Sequence, residues 1–477
     1  MNNMKIISST GHVAGISQAF VIHSLKDLPK DLLTKEEQVY LKGQLDPEKR
    51  NWVMLNRFTH GIYVCMANHD ALDAKFFERL RKSGASLGDA LNRDKVEEVE
   101  VATPSQPQLV LYLAEGLALG NYRFLRHFSN PEKKRSTLQT IRVVGVSEVE
   151  VTEVSATVEA TFIARDLVNE PVNYLNAEQL AQTAEHLGKE NGFSVEVLNK
   201  NKIEALKMGG LLSINKGSID PPTFTIMEYK PEKAVNSKPI ILVGKGVVYD
   251  TGGLSLKPTS FMDTMKSDMA GAAAVIGTMV AVSKNKLPYH VIGLVPATDN
   301  RPGGNAITPG DVVTMFNGKT VEILNTDAEG RMILADALAY AQKYDPEVVI
   351  DLATLTGAAA RAVGKWGIVA MGKYSRPVFE KLTQSGEMTY ERVVEFPFWE
   401  EYDDLLKSDI ADLKNIGGAE GGAITAGKFL ANFTNYPYIH LDIAGPAFID
   451  SNEGYRRKGA TGVGVRLLYD FIKNHTS

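Results

Sequence analysis

The chain has 477 residues, more than one ordinary hydrophobic core holds, so two domains are expected. Its composition, 44% hydrophobic and 23% charged, is typical of a globular protein and excludes a disordered or fibrous chain. The formal net charge of -5 provides no global attraction to phosphate backbones, so nucleic acid is not expected as a main partner.

The N-terminal segment MNNMKIISSTGHVAG lacks the apolar core of a signal peptide. No later stretch reaches the ~20 apolar residues of a membrane span. The single cysteine, Cys65, excludes an intramolecular disulfide and suits a reducing compartment, and its apolar neighbours indicate a plain buried residue. We therefore expect a cytoplasmic protein without a membrane partner.

Residues 1–146 alternate short apolar runs with polar, helix-like stretches such as DAKFFERLRKSG, which predicts a small N-terminal α/β domain. The segment 149–170 carries few helix breakers and predicts a long helix that ends before Pro171. We assign residues 147–173 to this connecting helix.

Residues 174–477 contain recurring strand-like runs, and helix-like segments such as AGAAAVIGTMVAVSKN and RMILADALAYAQKY lie between several of them. The strand-like runs are FSVEVLN, PPTFTIMEYK, KPIILVGKG, YHVIGLVPA, DVVTMF, EVVIDLATLTG and YIHLDIAG. This alternation predicts a larger C-terminal domain with a mostly parallel sheet flanked by helices. Because such sheets bind ligands beyond the carboxyl ends of their strands, functional residues are expected just after the strands.

Acidic residues occupy such positions: Asp250 in GVVYDTGG, Asp268 in MKSDMAG, and Asp327 and Glu329 in NTDAEGR. Turn or capping chemistry explains any one of them alone. In an extended segment Asp327 and Glu329 point the same way, and Gly330 lets the backbone turn before a helix that starts near Arg331. Converging carboxylates repel unless cations lie between them, so the set predicts a site for divalent metal ions.

Lys245 in VGKG and Lys257 in GGLSLKP have two interpretations. The simpler one is phosphate binding or a solvated surface. Alternatively, a lysine beside metal ions ligates as the neutral amine, whereas one that keeps its charge polarises a carbonyl oxygen. Arg331 is either a salt-bridge partner of the nearby acids or an anion clamp. His440 in IHLDIAG is more simply a hydrogen-bonded core histidine.

Three segments, VGKGVVYDTGGLSLKP, MKSDMAGAAAV and NTDAEGRMILADALAYA, together resemble the leucyl aminopeptidase, or cytosol aminopeptidase, family of two-metal metallopeptidases. The matches RDLVNEPVNYLNAEQL, DLATLTGA and HLDIAGPA extend the resemblance over about residues 165–464. The resemblance implies hydrolysis of N-terminal, leucine-like residues from peptides by a two-metal-activated water. It also implies two divalent ions per subunit (manganese or zinc, with magnesium as an alternative), bicarbonate, and a homohexamer.

By this resemblance the metal ligands fall on Lys245, Asp250, Asp268, Asp327 and Glu329. Asp250 and Glu329 would bridge the two ions. The catalytic residues fall on Lys257, near the scissile carbonyl, and Arg331, which would hold a bicarbonate that serves as general base. Substrate contacts fall on Met265, Asn325, Thr354, Leu355 and Gly357.

The resemblance leaves one rival of a different class. Some bacterial members of the family also bind DNA, so salt-dependent duplex binding is an alternative, as a second function. A non-catalytic scaffold would be expected to lack at least one ligand, and all five are present.

Overall fold

The computed structural model describes residues 4–45, 52–66, 72–104 and 106–475. The chain divides into two compact units, the first with residues 1–162 and 450–458 and the second with residues 163–449 and 459–477. The segment 450–458 therefore groups with residues that precede it by hundreds of positions. Local patterns in the sequence do not record such a long-range grouping, and our predicted boundary did not include it.

The first unit is built on a six-stranded sheet. Its strands are β1 (Lys5–Ser9), β2 (Ser17–Ile22), β3 (Val53–Asn56), β4 (Gly61–Met66), β5 (Glu98–Ala102) and β6 (Thr140–Val144), and its helices are α1 (Lys35–Gln44), α2 (Ala74–Arg93) and α3 (Leu109–Gly120). The strand order is β1-β6-β5-β2-β4-β3, and only the β3–β4 pair is antiparallel. The predicted small α/β domain is confirmed.

Two local features of the first unit follow from its sequence. Helix α2 begins after Asp73, whose carboxylate accepts a hydrogen bond from the backbone N–H of Phe76 at 2.8 Å. Helices α2 and α3 approach so closely that a side chain at Gly116 would overlap the carbonyl of Arg81. A glycine is therefore required at this crossing.

The long helix predicted for 149–170 is present as α4 (Glu148–Asn169). It ends just before Glu170 and Pro171, as expected because a proline disfavours the helical conformation of the residue before it.

The second unit holds the remaining elements. Its helices are α5 (Ala177–Asn191), α6 (Lys200–Ala205), α7 (Gly209–Asn215), α8 (Ala270–Lys284), α9 (Glu329–Ala341), α10 (Gly357–Val363), α11 (Arg376–Thr389), α12 (Glu401–Asp404), α13 (Gly422–Ala431) and α14 (Val465–Lys473). Its strands are β7 (Ser194–Leu198), β8 (Thr223–Tyr229), β9 (Ile240–Gly244), β10 (Gly246–Asp250), β11 (Val291–Asn300), β12 (Val312–Thr314), β13 (Thr320–Glu322), β14 (Val348–Ala353), β15 (Ile368–Lys373), β16 (Val393–Glu395), β17 (Leu413–Lys414), β18 (Tyr438–Asp442), β19 (Phe448–Ile449) and β20 (Gly459–Ala460).

The main sheet of this unit has nine strands in the order β16-β15-β18-β14-β9-β11-β8-β7, with β10 paired to β11. Its centre is parallel, and antiparallel pairs occur at β7–β8, β8–β11 and β15–β18. The central strands read as continuous apolar runs, as expected for a sheet covered on both faces. The mostly parallel sheet flanked by helices is confirmed.

One predicted strand lies elsewhere. The run DVVTMF contains β12, which pairs with β13 in a separate three-stranded sheet. Its pattern of a short apolar run does not distinguish a main-sheet strand from a small hairpin.

In the described part of the chain, one helical stretch, Met265–Lys284, has the length and apolar composition to cross a membrane. It is 89% buried within the fold. Together with α9, in which every residue is buried, it forms part of the core around the main sheet.

Candidate active site

The predicted metal ligands come from three neighbouring parts of the second unit. Lys245 is the single residue between β9 and β10, and Asp250 is the last residue of β10. Asp268 lies in the short turn Met265–Met269 that leads into α8, whereas Asp327 and Glu329 precede and begin α9. Four of the five are buried and Asp327 is partly exposed. The fold thus gathers all five at the carboxyl ends of central strands.

Lys245 is the centre of one half of this cluster. Its Nζ lies 2.7 Å from Asp268 and 2.8 Å from Oε1 of Glu329. It also donates a hydrogen bond to the carbonyl of Thr354 at 3.0 Å, and the Thr354 hydroxyl donates to Asp268 at 2.8 Å. Thr354, in the loop after β14, thereby orients both the Lys245 amine and the Asp268 carboxylate.

Lys257 is the centre of the other half. Its Nζ lies 2.7 Å from Oδ2 of Asp250 and 2.5 Å from Oδ1 of Asp327. The second oxygen of Asp250 accepts hydrogen bonds from the Asn300 side chain and the Gly252 N–H, each at 2.8 Å. Oxygens of Asp250 and Asp327 lie within 4.8 Å of an oxygen of Glu329, which joins this half of the cluster to the half around Lys245.

Asp327 and Glu329 lie close together, but not in the extended segment that we predicted. Residues 326 and 327 form a turn, and α9 begins at Glu329, two residues before Arg331. Carboxylate oxygens of Asp250, Asp327 and Glu329 still lie within 4.8 Å of one another. The helix start, rather than strand alternation, directs these side chains together.

Gly330 also has another role than the predicted turn. It lies inside α9, and a Cβ at this position would overlap Cε of Lys245 and lie 2.7 Å from its Nζ. The absence of a side chain at Gly330 lets Lys245 reach Glu329 across the face of the helix. This close approach explains a glycine where helix propensity disfavours it.

The carboxylates of the cluster have shifted pKa values. Burial and the neighbouring Glu329 raise the pKa of Asp250 to about 7, although the two lysines oppose the shift. The pKa values of Asp268 and Asp327 are also raised, again chiefly by burial. Burial acts in the same direction on Glu329, but Lys245 and Lys257 outweigh it and lower its pKa.

The two lysines are held as ammonium groups by these carboxylates. Burial disfavours the charged form of Lys245, yet Asp268, Glu329 and Asp250 together raise its pKa above the usual value. The pKa of Lys257 is raised in the same way, with Asp250 the largest favourable contribution. Four carboxylates therefore face two ammonium groups in this cluster.

The donor set fits divalent cations. Carboxylate oxygens dominate it, a lysine amine joins them, and such oxygen-rich sets suit manganese and magnesium and also accept zinc. In the described part of the chain, Oε2 of Glu329 is buried and has no hydrogen-bond partner. A buried carboxylate oxygen without a donor is costly, and a cation beside it removes that cost.

Arg331 lies in the first turn of α9, close to Glu329. Its guanidinium is buried, and Nη1 donates to the carbonyl of Asn415 at 2.7 Å. Burial lowers its pKa to about 10, with Glu329 and Asp442 acting in the opposite direction, so it is charged at neutral pH. Its Nε has no partner among the described residues, which leaves one donor available for an anion.

The predicted substrate contacts surround this cluster to different degrees. Met265 shares the turn that carries Asp268, and Thr354 contacts both Lys245 and Asp268. The Asn325 side chain accepts from the N–H of Asp327 at 2.9 Å. Leu355 lies in the loop between β14 and α10, and Gly357 is the first residue of α10.

Several polar residues that support the site were not predicted. Asn300 bridges Asp250 and the carbonyl of Thr326, and the Asn415 amide donates to the carbonyl of Asn325 at 2.7 Å. Asp442 accepts from the Leu355 N–H and, at 2.7 Å, from the Thr356 hydroxyl. Asn300 and Asp442 end β11 and β18, so the strand-end rule that found Asp250 applied to them as well.

His440 is buried in β18, and its Nδ1 lies 2.8 Å from Asp351 on β14. Asp351 also accepts a hydrogen bond from the Tyr438 hydroxyl at 2.5 Å. This is the hydrogen-bonded core histidine that we predicted.

Comparison with known proteins adds independent findings. The profile of the cytosol aminopeptidase family's catalytic domain matches residues 162–469. The chain is 45% identical over 421 residues to the probable cytosol aminopeptidase of Chlorobium limicola, covering 82% of this chain and 83% of the relative. It is 48% identical over 402 residues to that of Chlorobaculum tepidum, covering 80% and 79%.

Two solved structures have the same fold along nearly the whole chain. The bottromycin maturation enzyme BotP in complex with Mn is similar with a TM-score of 0.84 and 29% identity, covering 97% of this chain and 99% of BotP. A mutant of tomato leucine aminopeptidase is similar with a TM-score of 0.85 and 28% identity, covering 99% and 97%.

Proposed function

Because the chain belongs to the cytosol aminopeptidase family of metal-dependent peptidases, we propose that it removes N-terminal, leucine-like residues from peptides with two divalent ions bound in the lysine–carboxylate cluster. Catalysis is assigned to the second unit, which contains all residues of that cluster. The observation that carries the proposal is the convergence of five candidate ligands, one of them with a buried carboxylate oxygen that has no donor in the described part of the chain.

The ligands divide naturally between two ions. Lys245 and Asp268 lie on one side of Glu329, and Asp250 and Asp327 lie on the other, which supports the assignment of Glu329 and Asp250 as bridging residues. When bound, two such ions would polarise the scissile carbonyl and lower the pKa of a water molecule towards ~7. Lys245 must lose a proton to act as a ligand, because only the neutral amine has a free electron pair.

Lys257 and Arg331 are the catalytic residues of this proposal. Lys257 stays protonated at neutral pH because the nearby carboxylates raise its pKa, so it is suited to donate to the developing oxyanion. Arg331, charged and with Nε unpartnered in the described part of the chain, is suited to hold a bicarbonate or similar anion as the base that accepts the proton of water.

Substrate selection follows from the same surroundings. Asp268, beside Lys245, is the carboxylate that would receive the free α-amine of the substrate, which restricts cleavage to the peptide's end. The partly buried side chains of Met265 and Leu355 would provide the apolar contact for a leucine-like residue. Asn325, Thr354 and Gly357 would complete the substrate contacts.

We propose the cofactor, the location and the assembly from similar proteins. Manganese is favoured because BotP, a structurally similar protein, is described in complex with Mn. The relatives' name, cytosol aminopeptidase, supports a cytoplasmic location. A homohexamer rests on the family resemblance alone.

The deciding experiment measures hydrolysis of leucine p-nitroanilide by metal-stripped protein to which manganese, zinc or magnesium is restored singly. We expect no activity without metal, recovery with at least one ion, and no cleavage of the matched N-acetyl-leucine p-nitroanilide because it lacks a free amine. Cleavage of the acetylated substrate, or activity that is insensitive to metal, would contradict the proposal.

A further inference from the structure

Helix α10 carries one long side chain. Its sequence is GAAARAV, so apart from Arg361 it consists of glycine, alanine and valine. The guanidinium folds back by one helical turn: Nη1 lies 3.1 Å from the position that a Cβ of Gly357 would take. Arg361 therefore covers Gly357, a predicted substrate contact, and does so because that residue has no side chain.

No anion within the described part of the chain neutralises this guanidinium. Arg361 is exposed and forms neither an ion pair nor a hydrogen bond with any described residue. A planar cation with five donors is thus presented over Gly357.

The loop that precedes Arg361 is tied to the metal ligands. Thr354 accepts from Lys245 and donates to Asp268, and Gly357 follows only three residues later. Asp442 fixes the intervening segment by accepting from the Leu355 N–H at 3.2 Å and the Thr356 hydroxyl at 2.7 Å. Because three residues span at most about 11 Å, the guanidinium over Gly357 is held near the reacting end of a bound peptide.

We propose that Arg361 is a specificity residue that binds a carboxylate of the substrate. The planar guanidinium can donate two parallel hydrogen bonds to one carboxylate. Because Arg361 forms no ion pair with a described residue, no such ion pair has to be broken when it binds a substrate. The carboxylate belongs either to the side chain of an acidic N-terminal residue or to the C-terminus of a short peptide. This inference rests on the proposed aminopeptidase function and deepens it.

The test compares kcat/KM of the metal-loaded enzyme for two matched substrate pairs. The first pair, glutamyl and glutaminyl p-nitroanilide, differs only in a side-chain carboxylate, and the second, Leu-Gly and Leu-Gly amide, differs only in the C-terminal one. The variants are Arg361→Gln and Arg361→Lys, with Lys365→Gln as a control that removes a cation four residues further on, just after the end of α10. Leucine p-nitroanilide, which has no carboxylate, reports on the intact site.

For at least one pair we expect wild type to favour the carboxylate substrate, and Arg361→Gln to lower that ratio about three- to tenfold, as befits an exposed and partly screened ion pair. Arg361→Lys should retain part of the ratio, and Lys365→Gln should retain all of it. The affected pair identifies which carboxylate is bound.

Unchanged ratios for both pairs in Arg361→Gln, or an equal loss in Lys365→Gln, would overturn the inference. A wild-type enzyme that fails on leucine p-nitroanilide would instead refute the proposed function.

Discussion

Helix α9 carries two buried carboxylates, Glu329 at its first position and Asp336 about two turns later, and their surroundings differ. Asp336 accepts hydrogen bonds from the backbone N–H groups of Leu211 and Phe316, each at 2.9 Å. Glu329 faces Lys245 on one side and the carboxylates of Asp250 and Asp327 on the other. Both side chains are almost completely inaccessible to solvent.

Asp336 has the surroundings of a structural carboxylate, whereas those of Glu329 suit the metal ligand proposed above. The oxygens of Asp336 are satisfied by fixed backbone donors, so this residue joins α9 to α7 and to the chain after β12. Glu329 has a buried oxygen without a donor among the described residues and like charges beside it. The buried oxygen without a donor costs stability, and a protein retains such an oxygen where a cation completes it.

The largest expected effect comes from removing the charge of Glu329 while keeping its shape. In Glu329→Gln, kcat/KM on leucine p-nitroanilide should fall by about 10³-fold or more, because a bridging ligand contributes several kcal/mol to the transition state. The metal-free variant should unfold at a somewhat lower temperature, because the substitution removes an anion that Lys245 and Lys257 stabilise. A variant that keeps a tenth of wild-type activity would show that Glu329 is not a metal ligand.

The converse is expected at Asp336. Asp336→Ala leaves buried backbone N–H groups without acceptors and should lower the free energy of unfolding by about 2 to 4 kcal/mol, measured by urea denaturation. The kcat of the folded, metal-loaded fraction should stay within a few fold of wild type. Loss of metal binding with unchanged stability would show that the two carboxylates do not differ as described.

An intermediate effect is expected at Gly330. Alanine favours a helix over glycine by up to about 1 kcal/mol, so propensity alone predicts a more stable Gly330→Ala protein. The new Cβ would displace Lys245 from Glu329, and activity should therefore fall by about 10- to 100-fold. The matched control is Gly43→Ala in α1, where a Cβ meets no atom within 4 Å and activity should not change. Equal activities of the two variants would contradict the role of the close approach.

The positions of the proposed metal ligands were largely predictable from the sequence, and the residues that support them were not. Strand ends and the run NTDAEGR marked Asp250, Asp327 and Glu329 because such positions follow from local patterns. The part that Gly330 plays depends on a lysine more than eighty residues away, and Asn415 reaches the site from a different region of the chain. Local periodicity carries no information about such contacts, and it likewise did not reveal that 450–458 groups with the first unit.

The smallest expected effect is the pH dependence of metal binding: the affinity for metal should rise as the pH rises. Metal binding requires deprotonated ligands, and the pKa values of Lys245, Asp250 and Asp268 are raised, the second to about 7. Each proton released increases affinity by about tenfold per pH unit, so manganese should bind more tightly at pH 8 than at pH 6. Calorimetry in two buffers with different ionisation enthalpies measures the protons released. A pH-independent affinity would mean that these groups are not the ligands.

The central claim, that Glu329 and its neighbours form a two-ion site, is tested most directly by counting bound metal. Metal-stripped wild-type protein is equilibrated with excess manganese, freed of unbound ion and assayed by mass spectrometry of the element alongside Glu329→Gln and Asp336→Asn. We predict two ions per chain in wild type and in Asp336→Asn, and fewer in Glu329→Gln. Wild-type protein that binds no manganese at saturation, or a Glu329→Gln variant that still binds two ions, would contradict the account.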